Sequence, residues 1–371
     1  MTPPVLKTDA QTDSKTDPPT DAATNVRSGE ELDHAAVEHF LRQSIPGLSG
    51  PMEILQFPSG YSNLTYLLRV GGREMVLRRP PFGRKAKTAH DMGREYRILK
   101  ALYPVFPYCP KPLAYTEDPS LMGCPFYVME RITGIILRRD IPEGMSLAPA
   151  DARQLCENMT GLQAHLHSLD YKAIGLSDFG KPEGYVQRQV AGWKKRYQDA
   201  RTPDAPDFEP VIQWLEANQP EDFKRPGIIH NDYKLNNLVL DPANPVAIIG
   251  VLDWEMATLG DPLMDLGASL AYWIDKEDPE EVQLMRIMPT TTEGMMTRRE
   301  LVDCYAEKAG IPIEDFSFYF CFGLFRLAGI TQQIYYRYYH GQTTDQRFLQ
   351  LGYAVGFLEK MVRRVMASGR I

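Results

Sequence analysis

Residues 228–240, Ile228-Ile229-His230-Asn231-Asp232-Tyr233-Lys234-Leu235-Asn236-Asn237-Leu238-Val239-Leu240, decide the fold, because two apolar, strand-like runs bracket a compact knot of polar side chains. A second apolar run, Val246-Ala247-Ile248-Ile249-Gly250-Val251-Leu252, follows as a hairpin partner and delivers Asp253 and Trp254. The pattern His-x-Asp-x-Lys-x-x-Asn, followed by a strand that ends in Asp, is the shape of a phosphoryl-transfer catalytic loop and its metal-binding neighbour.

Such a reaction asks little covalent help of a protein. It needs a group that accepts or orients the proton of the attacking hydroxyl, metal ions that neutralise phosphates, and cationic donors for developing charge. Asp232, at the tip of a loop between strands, is the candidate catalytic base, and Lys234 can reach the transferred phosphoryl oxygens. Asn237 offers a neutral oxygen ligand and Asp253 an anionic one, the hard-oxygen set that Mg²⁺ accepts while retaining several waters. His230 reads as a structural brace under the loop. A polar Asn/Asp loop in a hairpin is, by itself, only a turn. What argues for a site is the order of the segments, behind an upstream sheet that carries an arginine and a glutamate.

The chain has 371 residues, 43% hydrophobic and 24% charged, ordinary globular material long enough for two lobes that each bury a core. Its net charge of -7 gives no global attraction to nucleic acid or an anionic membrane, so neither is expected as a partner. Five scattered cysteines without metal-ligand spacing read as free thiols in a reducing cytoplasm. No apolar run approaches the roughly 18 residues that span a bilayer, and the start of the chain lacks the basic-then-apolar order of a signal peptide. A soluble, cytoplasmic protein is expected.

Residues 1–30 are nearly free of large apolar side chains and are expected to be a disordered tail. A short amphipathic helix over 31–43 follows. From residue 52 the period changes to an antiparallel meander of three strands, with turns at 58–63 and Gly71-Gly72. The first turn can cover phosphates with its backbone N–H groups, with Ser59, Gly60, Ser62 and Asn63 as the candidates; a Gly-Ser turn between strands is more often just a turn. The third strand places Arg78 where a kinase carries its phosphate-pairing lysine, although a solvated strand-end arginine fits the strand equally well. On the helix expected over 88–102, Glu95 is the candidate carboxylate that holds the guanidinium toward phosphates. Two further strands, at 113–115 and 126–129, complete an N-terminal lobe over 31–130. Residues 131–371 read as a larger helical lobe, with helices over 151–169 (from an acidic cap), 185–200, 208–217, 262–273, 299–309, 313–339 and 344–366. His165 and His167 face two directions, which favours packing over metal binding.

The segments His230 to Asn237, Asp253-Trp254-Glu255 and Leu259-Gly260-Asp261-Pro262-Leu263-Met264-Asp265-Leu266 closely resemble those of the aminoglycoside phosphotransferase and choline kinase group. The resemblance runs from about residue 50 to the C-terminal helices. It implies an α+β, protein-kinase-like two-lobe fold, a small-molecule kinase, and ATP and Mg²⁺ as cofactors. By analogy Asp232 matches the catalytic aspartate, Asn237 and Asp253 the metal ligands, Arg78 and Glu95 the ion pair, and Met129, Glu130 and Arg131 the hinge that meets adenine. Asp265 matches a carboxylate that braces the catalytic loop, with Asp261 helping. Arg78 stands where many relatives have lysine and Ser59 where a glycine is common; arginine's fork can grip both phosphate and Glu95.

Ser62-Asn63-Leu64-Thr65-Tyr66, Val76-Leu77-Arg78-Arg79-Pro80-Pro81 and Leu259-Gly260-Asp261-Pro262 further resemble the branch whose kinase-like domains are fused to acyl-CoA dehydrogenases. That branch implies a hydroxyacyl-CoA acceptor and association with an acyl-CoA dehydrogenase. Arg188, Lys194, Lys195, Arg196, Arg326 and Arg337 in the helical lobe suit a carboxylate or CoA ester better than a cationic aminoglycoside. The second reading is a catalytically weak nucleotide-binding partner of an acyl-CoA enzyme, motivated by Arg78 and the single glycine of the first turn. A protein kinase fares worse, because no activation-segment signature separates Asp253 from the helix after Gly260.

Overall fold

The computed structural model describes residues 22–58, 63–81, 91–343 and 345–371. Within them α1 (His34–Ser44) starts on Asp33, whose carboxylate accepts the Ala36 N–H, a normal N-cap. Five strands follow: β1 (Met52–Gln56), β2 (Leu64–Val70), β3 (Arg73–Arg79), β4 (Pro112–Thr116) and β5 (Phe126–Glu130). They form one antiparallel sheet in the order β1-β2-β3-β5-β4. The turn between β2 and β3 needs positive φ at both central residues; Gly71 (55°) and Gly72 (86°) supply it. Between β3 and β4 lies α2 (Met92–Leu102), capped by Asp91 through the Arg94 N–H; the part of the expected helix before residue 91 lies outside the described residues. A single turn, α3 (Pro119–Met122), precedes β5.

Alternation along the strands divides the sheet between two cores. Met75, Leu77, Phe126 and Val128 pack with Val37 and Leu41 of α1. Val76, Tyr127 and Met129 face the other way, toward Met92, Ile98 and Leu99 of α2. Arg78 therefore shares its side of β3 with Val76, the side covered by α2.

The expected tail is partly pinned. Thr24 bridges Gln56 at the outer strand β1, the Arg27 N–H reaches the Gln56 side chain (2.9 Å), and the Tyr66 hydroxyl donates to the Glu30 carbonyl (2.7 Å). The edge strand offers backbone groups that a passing chain can satisfy, which composition alone does not reveal. Residues 1–21 lie outside the described residues.

The larger lobe contains α4 (Pro149–Ser168), α5 (Tyr185–Asp199), α6 (Glu209–Ala217), β6 (Gly227–Ile229), β7 (Leu238–Asp241), β8 (Asn244–Val251), β9 (Thr258–Gly260), α7 (Pro262–Leu270), α8 (Glu280–Gln283), α9 (Arg298–Ala309), α10 (Ser317–Tyr339) and α11 (Leu349–Ser368). β7 and β8 are the expected hairpin, but β6 pairs instead with β9, a strand too short to show in the sequence. Asp151 lies in the first turn of α4 and does not cap it; Ala148 holds that position without a side-chain bond. The last two helices begin later than expected, because Asp315 turns the chain before Ser317 and Asp345 caps a separate 3-10 turn before Leu349.

α7 and α10 cross where Gly267 faces Gly323: a Cβ on either would collide with backbone of the other helix. The close approach brings Asp265 on α7 and Arg326 on α10 to the same loop, 230–237. All five cysteines are free, four of them buried. Among the described residues no helix is long and apolar enough to cross a membrane.

Candidate active site

The loop between β6 and β7 is shaped by α7. Asn231 (φ 64°) and Asp253 (φ 68°) are the two non-glycine residues with left-handed backbone among the described residues. Asn and Asp tolerate this region best, and such geometry persists where the surroundings over-determine it. Asp265, fully buried, does so for Asn231: its carboxylate accepts the N–H of His230 (3.1 Å) and Asn231 (2.5 Å), His167 Nε2 (2.9 Å) and Gln163 Nε2 (3.3 Å). Burial pushes the Asp265 pKa up, but His167, His230 and the backbone donors win and hold it below the usual carboxylate value.

His230 is the brace expected of it. Burial lowers its pKa against the pull of Asp265, Asp232 and Asp253. Nδ1 accepts the Asp232 N–H (3.2 Å), so the ring proton sits on Nε2 and is donated to the Leu252 carbonyl (3.0 Å). One neutral imidazole thus ties the loop to the end of β8.

Both carboxylate oxygens of Asp232 have donors. Lys234 Nζ bonds Oδ1, and Asn237 Nδ2 bonds Oδ2 (2.8 Å) as well as the Asp232 carbonyl (2.8 Å). With its amide N–H groups so used, Asn237 has Oδ1 left as an acceptor without a donor among the described residues. The Leu252 N–H donates to the Asn237 carbonyl (2.8 Å), which sets Asp253 beside Asn237. Lys234 Nζ also lies 4.8 Å from the centre of the Tyr272 ring.

Arg78 joins the two lobes. It is 8% exposed; Nη1 bonds Glu95 on α2, while Nη2 reaches Asp253 Oδ1 (3.1 Å) and Glu255 Oε2 (3.5 Å). Burial disfavours its charge, yet Glu95, Tyr127, Asp253 and Glu255 hold its pKa well above the ordinary arginine value. The planar fork serves three carboxylates at once from fixed directions, which a compact ammonium on a flexible stem does not reproduce.

Glu255 carries part of this arrangement and was not assigned a role from the sequence. It accepts Asn63 Nδ2 (2.6 Å) besides Arg78. The signal was a second carboxylate two places after Asp253. Asn63, expected over phosphates, is buried and turned to Glu255; Ser59, Gly60 and Ser62 lie outside the described residues. Met129, Glu130 and Arg131 stand at the end of β5. Glu130 accepts from Arg73 (3.1 Å), Arg131 donates to Glu74 (2.7 Å), and the Glu130 N–H is already taken by the Lys111 carbonyl (2.9 Å). Asp261 caps α7 through the Leu263 N–H (2.8 Å). Of the six basic residues, Lys194 pairs with Glu216 and Lys195 with Asp199, while Arg188 donates to the carbonyls of Lys181 and Glu183.

The model of the phosphotransferase enzyme family matches residues 53–293. Mouse acyl-CoA dehydrogenase family member 10 is 37% identical over 330 residues, covering 88% of this chain and 30% of that protein; the chain thus spans less than half the length of the curated relatives it matches. A Ralstonia eutropha protein assigned provisionally to the aminoglycoside phosphotransferases superposes with a TM-score of 0.77 at 33% identity, covering 90% of this chain and 98% of the other. Choline kinase from Cryptosporidium parvum superposes with a TM-score of 0.63 at 13% identity, over 91% and 97% of the two chains, and shares the fold. The loop braced by Asp265, the arginine shared by two lobes and a family match over most of the chain converge: this chain belongs to the phosphotransferase enzyme family, on a protein-kinase-like α+β fold.

Proposed function

We propose that the chain transfers the γ-phosphoryl group of ATP to the hydroxyl of a small metabolite. The observation that carries this reading is Asp232, donor-bound at both oxygens by Lys234 and Asn237, with Asp253 set beside Asn237 through the Leu252 N–H. In the transfer the acceptor oxygen bonds phosphorus, the bond to the ADP oxygen breaks, and the hydroxyl proton passes to Asp232. Asn237 keeps Asp232 aimed, and Lys234 meets the charge on the moving phosphoryl oxygens. Glu95 fixes Arg78 for the phosphates that remain on the nucleotide.

Asn237 Oδ1 and Asp253 fit Mg²⁺, which takes one or two carboxylates plus phosphate oxygens more readily than an all-protein cage. Bound there, Mg²⁺ would neutralise phosphate charge.

The relatives' names, which refer to acyl-CoA dehydrogenases, make a hydroxyacyl-CoA the first acceptor to test. A second reading, a catalytically weak nucleotide-binding partner of an acyl-CoA enzyme, is favoured by Arg78 drawing Asp253 to itself. Incubation with Mg·ATP labelled at the γ-phosphate and a panel of hydroxyacyl-CoAs, aminoglycosides and amino alcohols separates the two. Label on a hydroxyacyl-CoA is expected; nucleotide binding without transfer to any acceptor would favour the weak partner.

A further inference from the structure

Of the two histidines near the end of α4, His165 is exposed and His167 is buried on the inner face together with Gln163, one turn earlier. Both inner side chains reach Oδ2 of Asp265, His167 Nε2 at 2.9 Å and Gln163 Nε2 at 3.3 Å. The Gln163 amide is shared with Ser269 Oγ (3.1 Å), so His167 is the firmer of the two holds on the carboxylate that shapes the Asp232 loop.

An imidazole donates from Nε2 only while its proton is there. Asp265 imposes half of that condition. Its two oxygens already meet the N–H groups of His230 and Asn231 and the Gln163 amide, so a proton on either oxygen would face a donor. The other half comes from α9. Its buried residues Arg298, Leu301, Val302 and Tyr305 recur at i, i+3, i+4 and i+7, one face of a helix, and this helix packs along α4. The Tyr305 hydroxyl lies 2.7 Å from His167 Nδ1, its one partner among the described residues, and Tyr305 is 1% exposed. With Nε2–H given to Asp265, Nδ1 keeps its lone pair and the hydroxyl donates to it. A second ring proton would leave the Tyr305 O–H buried without an acceptor. α9 is fixed at its start, where Arg298 bonds Asp278 through both Nη atoms, each at 2.7 Å.

We infer that Tyr305 is a positioning residue: its hydroxyl keeps the His167 proton on Nε2, and that proton keeps Asp265 turned to the two amides that set the loop carrying Asp232. The chain Tyr305, His167, Asp265, Asn231 thus runs from a helix remote from the reacting groups to the residue before the base. Its catalytic consequence rests on the phosphotransfer reading; its hold on the loop does not.

The test is Tyr305→Phe in the full chain, made in the unaltered background and in His167→Gln, whose amide keeps its N–H groups whatever stands at 305. Nitrogen NMR of protein labelled at its histidine rings, with the His167 signals identified by their loss in His167→Gln, should show the Nε2–H form in the unaltered chain. Tyr305→Phe should add the Nδ1–H form at His167 and leave the His230 ring, held by the Asp232 N–H and the Leu252 carbonyl, as it was. Hydrogen exchange at the His230 and Asn231 amides should quicken by about 10-fold, as for one weakened hydrogen bond, with the amides of α9 unchanged. On an acceptor that is turned over, Tyr305→Phe should lower kcat by about 10- to 100-fold, as loosened placement of reacting groups does, with nucleotide KM unchanged. In the His167→Gln background the same substitution should change kcat by less than about 2-fold, because its effect passes through the ring. The ring and exchange measurements need no acceptor, so absence of phosphotransfer would sink the proposed function while these two still decide the role of Tyr305. An unchanged His167 ring in Tyr305→Phe, unchanged exchange at His230 and Asn231, or an equal cost in both backgrounds would overturn the inference and leave Tyr305 a packing residue.

Discussion

Arg78 and Glu95 were legible in the sequence because strand and helix periodicity put them on facing surfaces in the order the loop required. Glu255 was not, because the left-handed backbone at Asp253 and the 3-10 turn Trp254–Met256 fold it back toward Arg78, and neither has a sequence period. Arg78→Met strands Glu95 as a buried carboxylate and should cost about 3–5 kcal/mol in urea unfolding. Arg78→Lys, which keeps the charge but not the fork, should cost clearly less; equal losses would show that the fork geometry is the whole effect. Asp261 makes a pH prediction. Burial raises its pKa to about 6, partly offset by the N–H groups of Leu263 and Met264. A carboxyl whose folded pKa lies above its unfolded value binds its proton more tightly when folded. Its stabilising contribution is therefore full below about pH 4 and is lost as pH rises through about 6. Asp261→Asn keeps the cap and carries no charge, so its stability relative to the unaltered protein should rise by about 1–3 kcal/mol between those limits. Parallel stability curves for the two proteins across this range would rule the buried charge out.

At the level of elements, α2 is bolted to the helical lobe. Arg94 donates to the carbonyls of Phe179 (2.6 Å) and Ala257 (3.2 Å) and to Thr258 Oγ1 (3.2 Å), and its guanidinium lies 3.8 Å from the centre of the Phe179 ring. Arg97 adds a bond to Asp178. These contacts help to hold Glu95 over Arg78. Arg94→Ala should lower stability by about 1–3 kcal/mol and raise the nucleotide KM while leaving the acceptor KM unchanged; unchanged nucleotide KM would show that α2 keeps its place by apolar packing alone. The sheet could be read from its alternation, and the long helices from their periodicity. β9 could not, since three residues carry no pattern, nor could the meeting of Gly267 and Gly323, which depends on where α7 and α10 cross.

Over the whole molecule the chain division at about residue 130 does not divide the core. Val76, Met92, Leu99 and Tyr127 of the smaller lobe belong to one apolar cluster with Leu155, Trp254, Leu266 and Phe325 of the larger. Urea unfolding followed by tryptophan fluorescence and by far-ultraviolet circular dichroism should therefore give one coincident transition. Two resolved steps would show lobes that fold apart. The residues of loop 230–237 were readable because they are close in sequence; the bond from Arg326 to the Asn231 carbonyl was not, because α10 reaches the loop only through the tertiary crossing of two helices. The role of Asp232 is tested most directly by single-turnover transfer from γ-labelled Mg·ATP, comparing the unaltered chain with Asp232→Asn on the acceptor that the panel selects. The transfer rate should fall by about 10²- to 10⁴-fold with nucleotide affinity retained; transfer at an unchanged rate would contradict a catalytic role for Asp232.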